Sequence, residues 1–287
     1  MAEHANPVSW IDGAWVAGNP PILGPMSHAT WMASVAFDGA RAFRGLAPDL
    51  DLHCARVVAS ARALGLEPPV SAAEIEALAW EGIGRFAPDA ELYIRPLIYA
   101  EEGFVVPVAE SAKFVLTLFE APMPEPKGVR ATLSPWRRPS PEAAVTQAKT
   151  SSLYPNVARA LRDARAKGFD TSVVLDALGH VAEFAAANLF LAKDGRVATP
   201  AANGTFLNGI TRQRVIALLR EDGTPVEERT VGYDELADAD ELFATGNYSK
   251  LVPCIGLDDR TLQPGPVYAR ARTLYLEYAG REGRRKG

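Results

Sequence analysis

The chain has 287 residues, of which 48% are hydrophobic and 23% are charged, and its formal net charge is −5. This length exceeds a typical single domain, so either two domains or one large domain with a divided core is expected, and the apolar fraction suffices for a sizeable core. Charges of both signs are spread along the chain without a basic stripe, which argues against nucleic acid as a partner.

Two features bear on location and on metals. The segment from Met1 to Asn6 lacks the cationic start and the apolar run of a signal peptide, and no stretch approaches the ~20 apolar residues of a membrane span. Cys54 and Cys254 are the only cysteines, and the four histidines are scattered, so no metal-ligand spacing is visible. We therefore expect a cytoplasmic protein with no metal site and no membrane partner.

The N-terminal part of the chain predicts strands. Asp12-Gly13 stands between alternating apolar and polar residues, which is typical of a β-hairpin. Residues 34–43 alternate with period two and carry Phe37 and Arg41 on one face of a strand. Arg41 could line a site, or it could pair with an acid at the surface.

Two helices are predicted next. The apolar spacing of residues 52–65 ends at a glycine and puts Arg56 in the first turn, where it could help exposed N–H groups hold an anion. Ser71 and Glu74 form a capping box that begins a second helix, which runs to about residue 86.

A pair of strands precedes a proline-rich segment. Residues 91–99 and 113–119 alternate as strands do, and Tyr93, Arg95 and Leu97 lie on one side of the first. Pro122, Pro124 and Pro126 then follow in close succession, which is typical of a linker. We therefore expect a small N-terminal α+β domain (1–120), a linker (121–128) and a large C-terminal domain (129–287).

The C-terminal part contains a lysine with unusual neighbours. Residues 146–154 contain no acid, so Lys149 has no local ion-pair partner. A desolvated amine of this kind can lose its proton and attack a carbonyl, although a single lysine is more often a solvated cation. Pro155 begins a predicted helix that ends at Gly168.

Glu183 interrupts a run of small and apolar residues (181–187). It is either a surface kink or a buried acid with a cationic partner. Gly209 precedes a predicted helix capped by Thr211, whose N-terminus could offer backbone N–H groups to a phosphate or could cap only itself. Short strands are predicted at residues 171–177, 180–183, 188–198, 226–231 and 241–245. A turn at 246–249 precedes residues 251–256, and a final helix is predicted at 266–279.

These candidates are the parts that a pyridoxal phosphate enzyme requires: a reactive lysine, an isolated acid, an arginine near a helix start and an uncapped helix start. At these residues the sequence resembles the fold-type IV pyridoxal phosphate enzymes and, within them, the branched-chain amino acid aminotransferases. The resemblance runs from about Trp10 to Leu262. It rests on Met26–Ala29, Phe37–Arg41, Tyr93–Leu97, Ala148-Lys149 with Tyr154, Glu183 with Asn188–Phe190, and Gly209–Arg212.

The resemblance implies a two-domain α+β fold with pyridoxal 5'-phosphate between the domains. In it, Lys149 forms the Schiff base and moves the proton, and Glu183 pairs with the pyridine nitrogen. Further cofactor contacts are implied for Tyr154 (ring oxygen), Arg56 (phosphate), Leu207 (ring face) and the backbone N–H groups of Ile210 and Thr211 (phosphate cup). Gly209 and Asn247 are also implied to bind the cofactor. Tyr93 and the Gly246-Asn247-Tyr248 turn are implied to bind the substrate carboxylate. Phe37, Arg41 and Arg95 are implied to line the side-chain pocket.

Three departures from the family pattern concern the substrate pocket. Met32 stands where an aromatic residue is expected. The interdomain loop is short and lacks its usual tryptophan, although Trp136 matches another family position. Thr245-Gly246-Asn247-Tyr248 replaces a turn of small hydroxyl and alanine residues. These changes reshape the pocket and leave the cofactor residues in place.

The expected function is transamination of branched-chain or similar apolar L-amino acids with 2-oxoglutarate or another 2-oxo acid, by a homodimer or higher homo-oligomer. The nearest alternative keeps the fold and the cofactor and uses a D-amino acid or an (R)-amine. Weaker alternatives are an aminodeoxychorismate lyase and a non-catalytic descendant of such an enzyme. The descendant would be expected to lose Lys149 or Glu183, and both are present.

Overall fold

The computed structural model describes residues 5–283. Met1–His4, where a signal peptide would begin, and the end of the basic segment 281–286 lie outside the described residues. Helices and strands are mixed along the chain, which confirms the α+β class. Within the described range, the helices lack the length and apolar character of a membrane span.

The described chain divides into two compact units. The first takes the described parts of Met1–Met123, Ala148–Ser152 and Tyr278–Gly287, and the second takes Pro124–Gln147 and Leu153–Glu277. The chain thus leaves the first unit inside the predicted linker. The segment around Lys149 groups with the first unit, whereas the sequence analysis assigned it to the C-terminal domain. The boundaries 1–120, 121–128 and 129–287 stay a prediction about domains.

The first unit contains an antiparallel sheet and helices. Its elements are β1 (Ala5–Ile11), β2 (Ala14–Ala17), α1 (His28–Met32), β3 (Val35–Phe37), β4 (Ala40–Ala42), α2 (Leu50–Ala63), α3 (Ala72–Ile83), β5 (Leu92–Ala100) and β6 (Ala112–Glu120). The strand order is β2-β1-β6-β5-β3, and β4 also pairs with β5. The predicted hairpin is confirmed, since β1 and β2 pair around Asp12-Gly13.

Alternation along β5 separates a core face from a second face. Leu92, Ile94 and Ile98 are buried in the cluster that also contains residues of α2 and α3. Tyr93, Arg95 and Leu97 therefore lie on the opposite face, as the period of two predicts. This second face carries the predicted substrate residues of the first unit.

The predicted single strand over residues 34–43 is wrong, because the chain breaks it at Asp38-Gly39, between β3 and β4. Asp38 turns its carboxylate to side chains of α2 and to the Gly39 N–H. The pairing register with β5 nevertheless continues across the break, with Phe37 opposite Leu97 and Arg41 opposite Tyr93. Phe37 and Arg41 therefore share one face, as predicted.

The helices of the first unit differ slightly from their predicted bounds. α2 begins at Leu50, because this buried residue extends the apolar stripe, so Arg56 lies in the second turn and not in the first. α3 begins with the predicted capping box at Ser71 and Glu74. It ends at Ile83, a few residues before the predicted end.

The second unit contains a mixed sheet and helices. Its elements are β7 (Val129–Leu133), α4 (Tyr154–Ala166), β8 (Thr171–Leu175), β9 (Val181–Phe184), β10 (Asn188–Lys193), β11 (Arg196–Pro200), α5 (Ile210–Glu221), β12 (Val226–Arg229), α6 (Tyr233–Asp238), β13 (Glu241–Gly246), β14 (Lys250–Leu257), β15 (Arg260–Thr261) and α7 (Pro266–Glu282). The strand order is β12-β11-β10-β13-β14-β7-β8-β9, and β15 pairs with β14. The residues of α7 from Tyr278 onward group with the first unit.

The helix start in the second unit corrects one expectation. The residue that caps α5 is Gly209, and no side chain provides a capping hydrogen bond, so the prediction of a Thr211 cap is wrong. Gly209 has extended backbone angles, and the helical conformation begins directly after it at Ile210. The short helices α1 and α6 were not predicted, because neither is long enough to show an apolar stripe.

Candidate active site

The backbone of Lys149 is fixed within the first unit. Its N–H donates to Ser60 Oγ (3.0 Å), and its carbonyl accepts from the Phe37 N–H (3.1 Å). The next residue, Thr150, forms a β-bridge with Ala36. Lys149 Nζ lies 4.8 Å from the centroid of the Phe37 ring. The structure therefore brings Phe37 and Lys149 together although they are far apart in sequence.

Arg56 is held by a completely buried carboxylate. Its Nε donates to Asp38 Oδ2 (2.6 Å) and its terminal NH2 group to Asp38 Oδ1 (2.8 Å), while His53 Nδ1 lies 2.7 Å from Asp38 Oδ1. Burial alone would raise the pKa of the Asp38 carboxyl, but the charges of Arg56 and His53 and their hydrogen bonds outweigh it and hold that pKa well below its usual range. The ion pair sets the direction of the guanidinium.

The sequence analysis missed Asp38 and His53 as partners of Arg56. A signal was present, because His53 and Arg56 are three residues apart on a helix and therefore share one face. Asp38 also lies in the Phe37–Arg41 segment on which the family resemblance rests. Only the fold shows that the three side chains meet.

Tyr93 and Arg95 lie close to an aromatic neighbour on the second face of β5. The Tyr93 and Phe119 rings stack with centroids 5.4 Å apart, and the Arg95 guanidinium carbon lies 5.8 Å from the Phe119 centroid. A Cβ on Gly39 would come within 2.1 Å of Tyr93 Oη, so this position requires glycine. The close approach of Gly39 fixes the end of the tyrosine ring.

Arg41 is one of the most buried side chains of the protein, with 1% of its surface exposed. One of its terminal NH2 groups lies 3.6 Å from Met123 Sδ. The alternative that Arg41 pairs with an acid at the surface is therefore wrong. A guanidinium buried on this strand face is compatible with a role in lining a site.

Glu183 lies in the second unit and is 4% exposed, so it is the buried acid and not a surface kink. Its Oε1 forms an ion pair with a terminal NH2 group of Arg138, and its Oε2 accepts from Asn188 Nδ2 (3.2 Å). The same NH2 group of Arg138 also donates to the Ala185 carbonyl (3.3 Å). The carboxylate is therefore held in place by charge and by hydrogen bonds.

Arg138 was not identified from the sequence. It stands 45 positions before Glu183, next to a second arginine and among prolines, in a segment without a regular pattern. The sequence indicated that a buried Glu183 needs a cationic partner, but its spacing does not point to Arg138.

Asn188 connects Glu183 to the start of α5. Its Oδ1 accepts from the Gly209 N–H (3.1 Å), and its Nδ2 also donates to the Leu207 carbonyl (3.0 Å). A Cβ on Gly209 would come within 2.1 Å of Asn188 Oδ1, so glycine is required here. The first turn of α5, with Ile210 at its start, has backbone N–H groups that no side chain caps.

Arg212 anchors the start of α5 to neighbouring strands. Its guanidinium is almost completely buried and donates to Thr199 Oγ1 (3.3 Å), Asn208 Oδ1 (2.7 Å), the Pro200 carbonyl (2.8 Å) and Glu228 Oε2 (3.0 Å). With this many partners, the arginine is a structural residue. It holds the helix N-terminus, and hence Ile210 and Thr211, in a fixed place.

The remaining predicted residues of the second unit lie at element boundaries. Gly246 ends β13, and Asn247 and Tyr248 occupy the turn that leads to β14. Tyr154 is the first residue of α4 and is exposed. Leu207 is half-buried in the segment before Gly209.

Each unit thus brings together its own group of predicted residues. The first unit contains Phe37, Arg41, Arg56, Tyr93, Arg95 and Lys149, and the second contains Tyr154, Glu183, Leu207, Gly209, Ile210, Thr211, Gly246, Asn247 and Tyr248. Across residues 5–283, the acidic, histidine and cysteine side chains form no cluster of three or more suited to a metal ion.

Known proteins resemble this chain over most of its length. The model of the family Amino-transferase class IV matches residues 35–256. An aminotransferase from Brucella abortus, solved bound to pyridoxal phosphate, is 54% identical, with a TM-score of 0.95 over 96% of this chain and 99% of that chain. A branched-chain aminotransferase from Thermoproteus uzoniensis, solved with norvaline, is 30% identical, with a TM-score of 0.88 over 96% of this chain and 95% of that chain.

A relative found by sequence comparison agrees with these structures. The probable branched-chain-amino-acid aminotransferase of Aquifex aeolicus is 32% identical over 232 residues, which are 78% of this chain and 75% of that protein. The span that the family model matches, residues 35–256, includes the segments that position Lys149 and Glu183. From the family match and these identities, the chain belongs to the class IV aminotransferase family.

Proposed function

We propose that this protein is a pyridoxal phosphate-dependent aminotransferase. It moves the amino group of a branched-chain or similarly apolar L-amino acid to 2-oxoglutarate or another 2-oxo acid. The observation that carries the proposal is Glu183, a buried carboxylate kept in place by Arg138 and Asn188. The similarity to branched-chain aminotransferases supports the substrate class.

The side chains fit the cofactor by their chemistry. A carboxylate that stays anionic can keep a pyridine nitrogen protonated, and Glu183 pairs with a guanidinium that favours this anionic state. Arg56 and the uncapped N–H groups of Ile210 and Thr211 are donors of the kind that bind a phosphate dianion. When bound, pyridoxal phosphate supplies an aldehyde that condenses with amines and a ring that withdraws electrons.

The roles that we propose for the chain's own groups are those that the family resemblance implies. Lys149 Nζ would hold the cofactor, which would supply the aldehyde, and its amine would be the base that takes a proton from the α-carbon of the amino donor. Glu183 accepts a hydrogen bond from the ring nitrogen, and Tyr154 donates one to the ring oxygen. Leu207 packs on the ring face, and Gly209 allows the backbone to approach the phosphate.

The substrate is bound by a second set of residues. Tyr93 and the Gly246-Asn247-Tyr248 turn bind the α-carboxylate of the donor. Phe37, Arg41 and Arg95 line the side-chain pocket, where the two guanidinium groups can also hold the distal carboxylate of an acidic 2-oxo acid.

A covalent test addresses the cofactor and the lysine together. Purified protein incubated with pyridoxal phosphate should gain a visible absorbance band, and borohydride reduction followed by peptide mass spectrometry should find the cofactor on Lys149. Lys149→Ala should abolish both signals, whereas Lys167→Ala, which removes an exposed lysine paired with Asp163, should leave both unchanged. A cofactor attached to another lysine, or no band in the wild type, would contradict the proposal.

A half-reaction screen separates the substrate classes. The loaded enzyme is mixed in turn with L-leucine, D-alanine, L-glutamate and (R)-1-phenylethylamine, and the loss of the visible band is followed. We expect rapid loss with L-leucine and L-glutamate. A response to D-alanine or to the amine without one to L-leucine would replace the branched-chain assignment by the D-amino acid or (R)-amine alternative.

We also propose that the protein is a homodimer or a higher homo-oligomer. A patch of exposed apolar side chains in the first unit supports this assembly and comprises Met26, Trp31, Phe104, Val105 and Val106. The Trp31 and Phe104 rings lie 5.2 Å apart, so these two exposed side chains adjoin. Apolar surface of this kind marks interaction sites, and a second copy of the chain would cover it.

Light scattering after size exclusion tests this assembly. Phe104→Glu, at a side chain that is 74% exposed, should shift the protein toward the monomer. Leu178→Glu is the matched control, because Leu178 is 82% exposed and belongs to the second unit, away from the patch residues in sequence. A monomeric wild type would remove the proposal.

We further propose a cytoplasmic location. Cys54 and Cys254 are buried free thiols, which a reducing compartment preserves. Cell fractionation tests the location, and recovery of the enzyme in a membrane or extracellular fraction would contradict it.

A further inference from the structure

A buried lysine with an unusual backbone begins β14, directly after the turn that connects it to β13. Gly246 pairs with Lys250, so the turn consists of the three residues 247–249. Lys250 has φ +60°, in the left-handed region that side chains with a Cβ rarely adopt. Its side chain is only 5% exposed. Unfavourable backbone angles that a protein retains are concentrated at functional sites.

Lys250 fixes the orientation of the Asn247 amide. Its Nζ donates to Asn247 Oδ1 (2.8 Å) and lies 5.7 Å from the centroid of the buried Tyr275 ring. A lysine ammonium has only donors, so the amide atom that faces it must be the oxygen. Asn247 Nδ2 is therefore turned away from Lys250, and this orientation follows from the chemistry of the pair.

Two buried polar atoms on this segment lack a hydrogen-bond partner among the described residues. Asn247 Nδ2 and Thr245 Oγ1 are both shielded from solvent, and among the described residues neither has a hydrogen-bond partner. Buried polar groups in folded proteins are nearly always paired, so two orphans close together in sequence point to a missing acceptor. Thr245 also pairs across the strands with Asn188, which contacts Glu183.

We propose that Lys250 is a positioning residue, which holds the Asn247 amide so that Nδ2 donates, together with Thr245 Oγ1, to an anionic oxygen of a bound molecule. The inference rests on the proposed function, which supplies two such oxygens: the phosphate of the cofactor and the α-carboxylate of the amino donor. Both are acceptors only, and they match a site where Asn247 Nδ2 can only donate and the Thr245 hydroxyl can donate.

Three substitutions at Lys250 distinguish a role in orienting the Asn247 amide from simple support of the turn. Arginine also has donors only, so Lys250→Arg keeps the amide oriented. Lys250→Gln has the length and polarity to hold the turn, but its amide can both donate and accept, so it lets Asn247 flip. Lys250→Met removes the hydrogen bond altogether. We therefore expect Arg to preserve anion binding and Gln and Met to weaken it.

Asn247→Asp gives the sharpest contrast. This change strengthens the contact with Lys250, because a carboxylate replaces a neutral acceptor, but it removes the Nδ2 donor and adds a negative charge. If Lys250 only supported the turn, Asn247→Asp would be harmless. If the amide binds an anionic oxygen, Asn247→Asp should impair binding even though the melting temperature is unchanged.

Two measurements distinguish the phosphate from the carboxylate. Titration of the cofactor-free protein with pyridoxal phosphate and with pyridoxal gives a ratio of Kd values that reports on the phosphate, without turnover. The KM and kcat for L-leucine at saturating cofactor report on the carboxylate. We expect Lys250→Gln and Asn247→Asp to lose tenfold or more in the Kd ratio or in KM, with kcat little changed, as for a lost hydrogen bond to a charged group (about 1.5–3 kcal/mol).

The outcomes are distinguishable. If Lys250→Gln and Asn247→Asp match the wild type in both measurements, the positioning role is overturned. The same holds if Lys250→Arg loses as much as Lys250→Gln while melting at the wild-type temperature. A wild type that fails to bind pyridoxal phosphate would instead remove the proposed function.

Discussion

Both units of this protein bury an ion pair between a carboxylate and an arginine, and the proposed function gives the two pairs opposite roles. In the first unit, Asp38 is completely buried and Arg56 is largely buried. In the second unit, Glu183 and Arg138 are both largely buried. In the proposed function, Arg56 binds the cofactor and Asp38 holds Arg56 in place. In the second unit, Glu183 binds the cofactor and Arg138 holds Glu183 in place.

The comparison shows how a buried pair can position one functional charge. A buried ion pair contributes little net stability, because desolvation cancels most of the attraction, but loss of one partner is costly. The partner that does not touch the ligand restricts the geometry of the one that does. Asp38 and Arg138 are therefore as informative about function as Arg56 and Glu183.

The largest effect is expected for Glu183→Gln. It should lower kcat by a factor of about 10²–10³, as for the loss of one preorganised electrostatic group. It should also lower the free energy of unfolding by about 3 kcal/mol, because Arg138 is left buried without its carboxylate. Steady-state kinetics and urea denaturation measure the two effects.

The double variant Glu183→Gln/Arg138→Met is the control for this prediction. It removes both charges, so much of the stability should return, while activity should stay as low as in the single variant. Recovery of activity in the double variant would mean that Glu183 acts only by balancing Arg138, and the proposed roles in the second unit would fall.

A smaller effect is expected for Asp38→Asn. The free energy of unfolding should fall by about 2–3 kcal/mol at neutral pH, because Arg56 loses its buried partner. Activity should fall less than in Glu183→Gln, because the guanidinium itself remains. Asp163→Asn removes a surface pair with Lys167 and should cost only about 0.5 kcal/mol.

The stability difference between the wild type and Asp38→Asn should depend on pH. The pKa of Asp38 is lowered in the folded protein, so its contribution is fully present above the unfolded pKa of about 4 and is lost as the pH falls below that value. The stability difference between wild type and Asp38→Asn should therefore shrink in acid. A difference that stays constant between neutral pH and about pH 3 would show that the pair is not the cause.

The smallest effect is expected at the glycine next to Asn188. Gly209→Ala places a Cβ against Asn188 Oδ1 and should cost about 1–3 kcal/mol, with weaker pyridoxal phosphate binding, because Asn188 also holds Glu183. Gly280→Ala is the matched control. Among the described residues, and apart from the backbone of the helix itself, no atom lies within 4 Å of a Cβ at Gly280 in α7, so this change should stabilise the helix by about 0.5–1 kcal/mol. Thermal melts rank the two, and equal melting temperatures would contradict the packing argument.

The sequence by itself determined the α+β class, most elements and the chemical types of the site residues. Alternation, capping and turn residues are local signals, so β5, α3 and the first hairpin were predicted close to their observed bounds. The family resemblance predicted the site residues, because the family's motifs occur in the same order along this chain. Local signals were weaker where a strand is broken, as at Asp38-Gly39.

Only the tertiary structure decided which charged groups meet. Arg138 and Glu183 are 45 positions apart, and Lys149 contacts Ser60 across 89 positions. Which distant segments meet is decided by the packing of the whole sheet and its helices. Lys250 shows the same limit, because its burial and its left-handed backbone leave no trace in the spacing of residues around it.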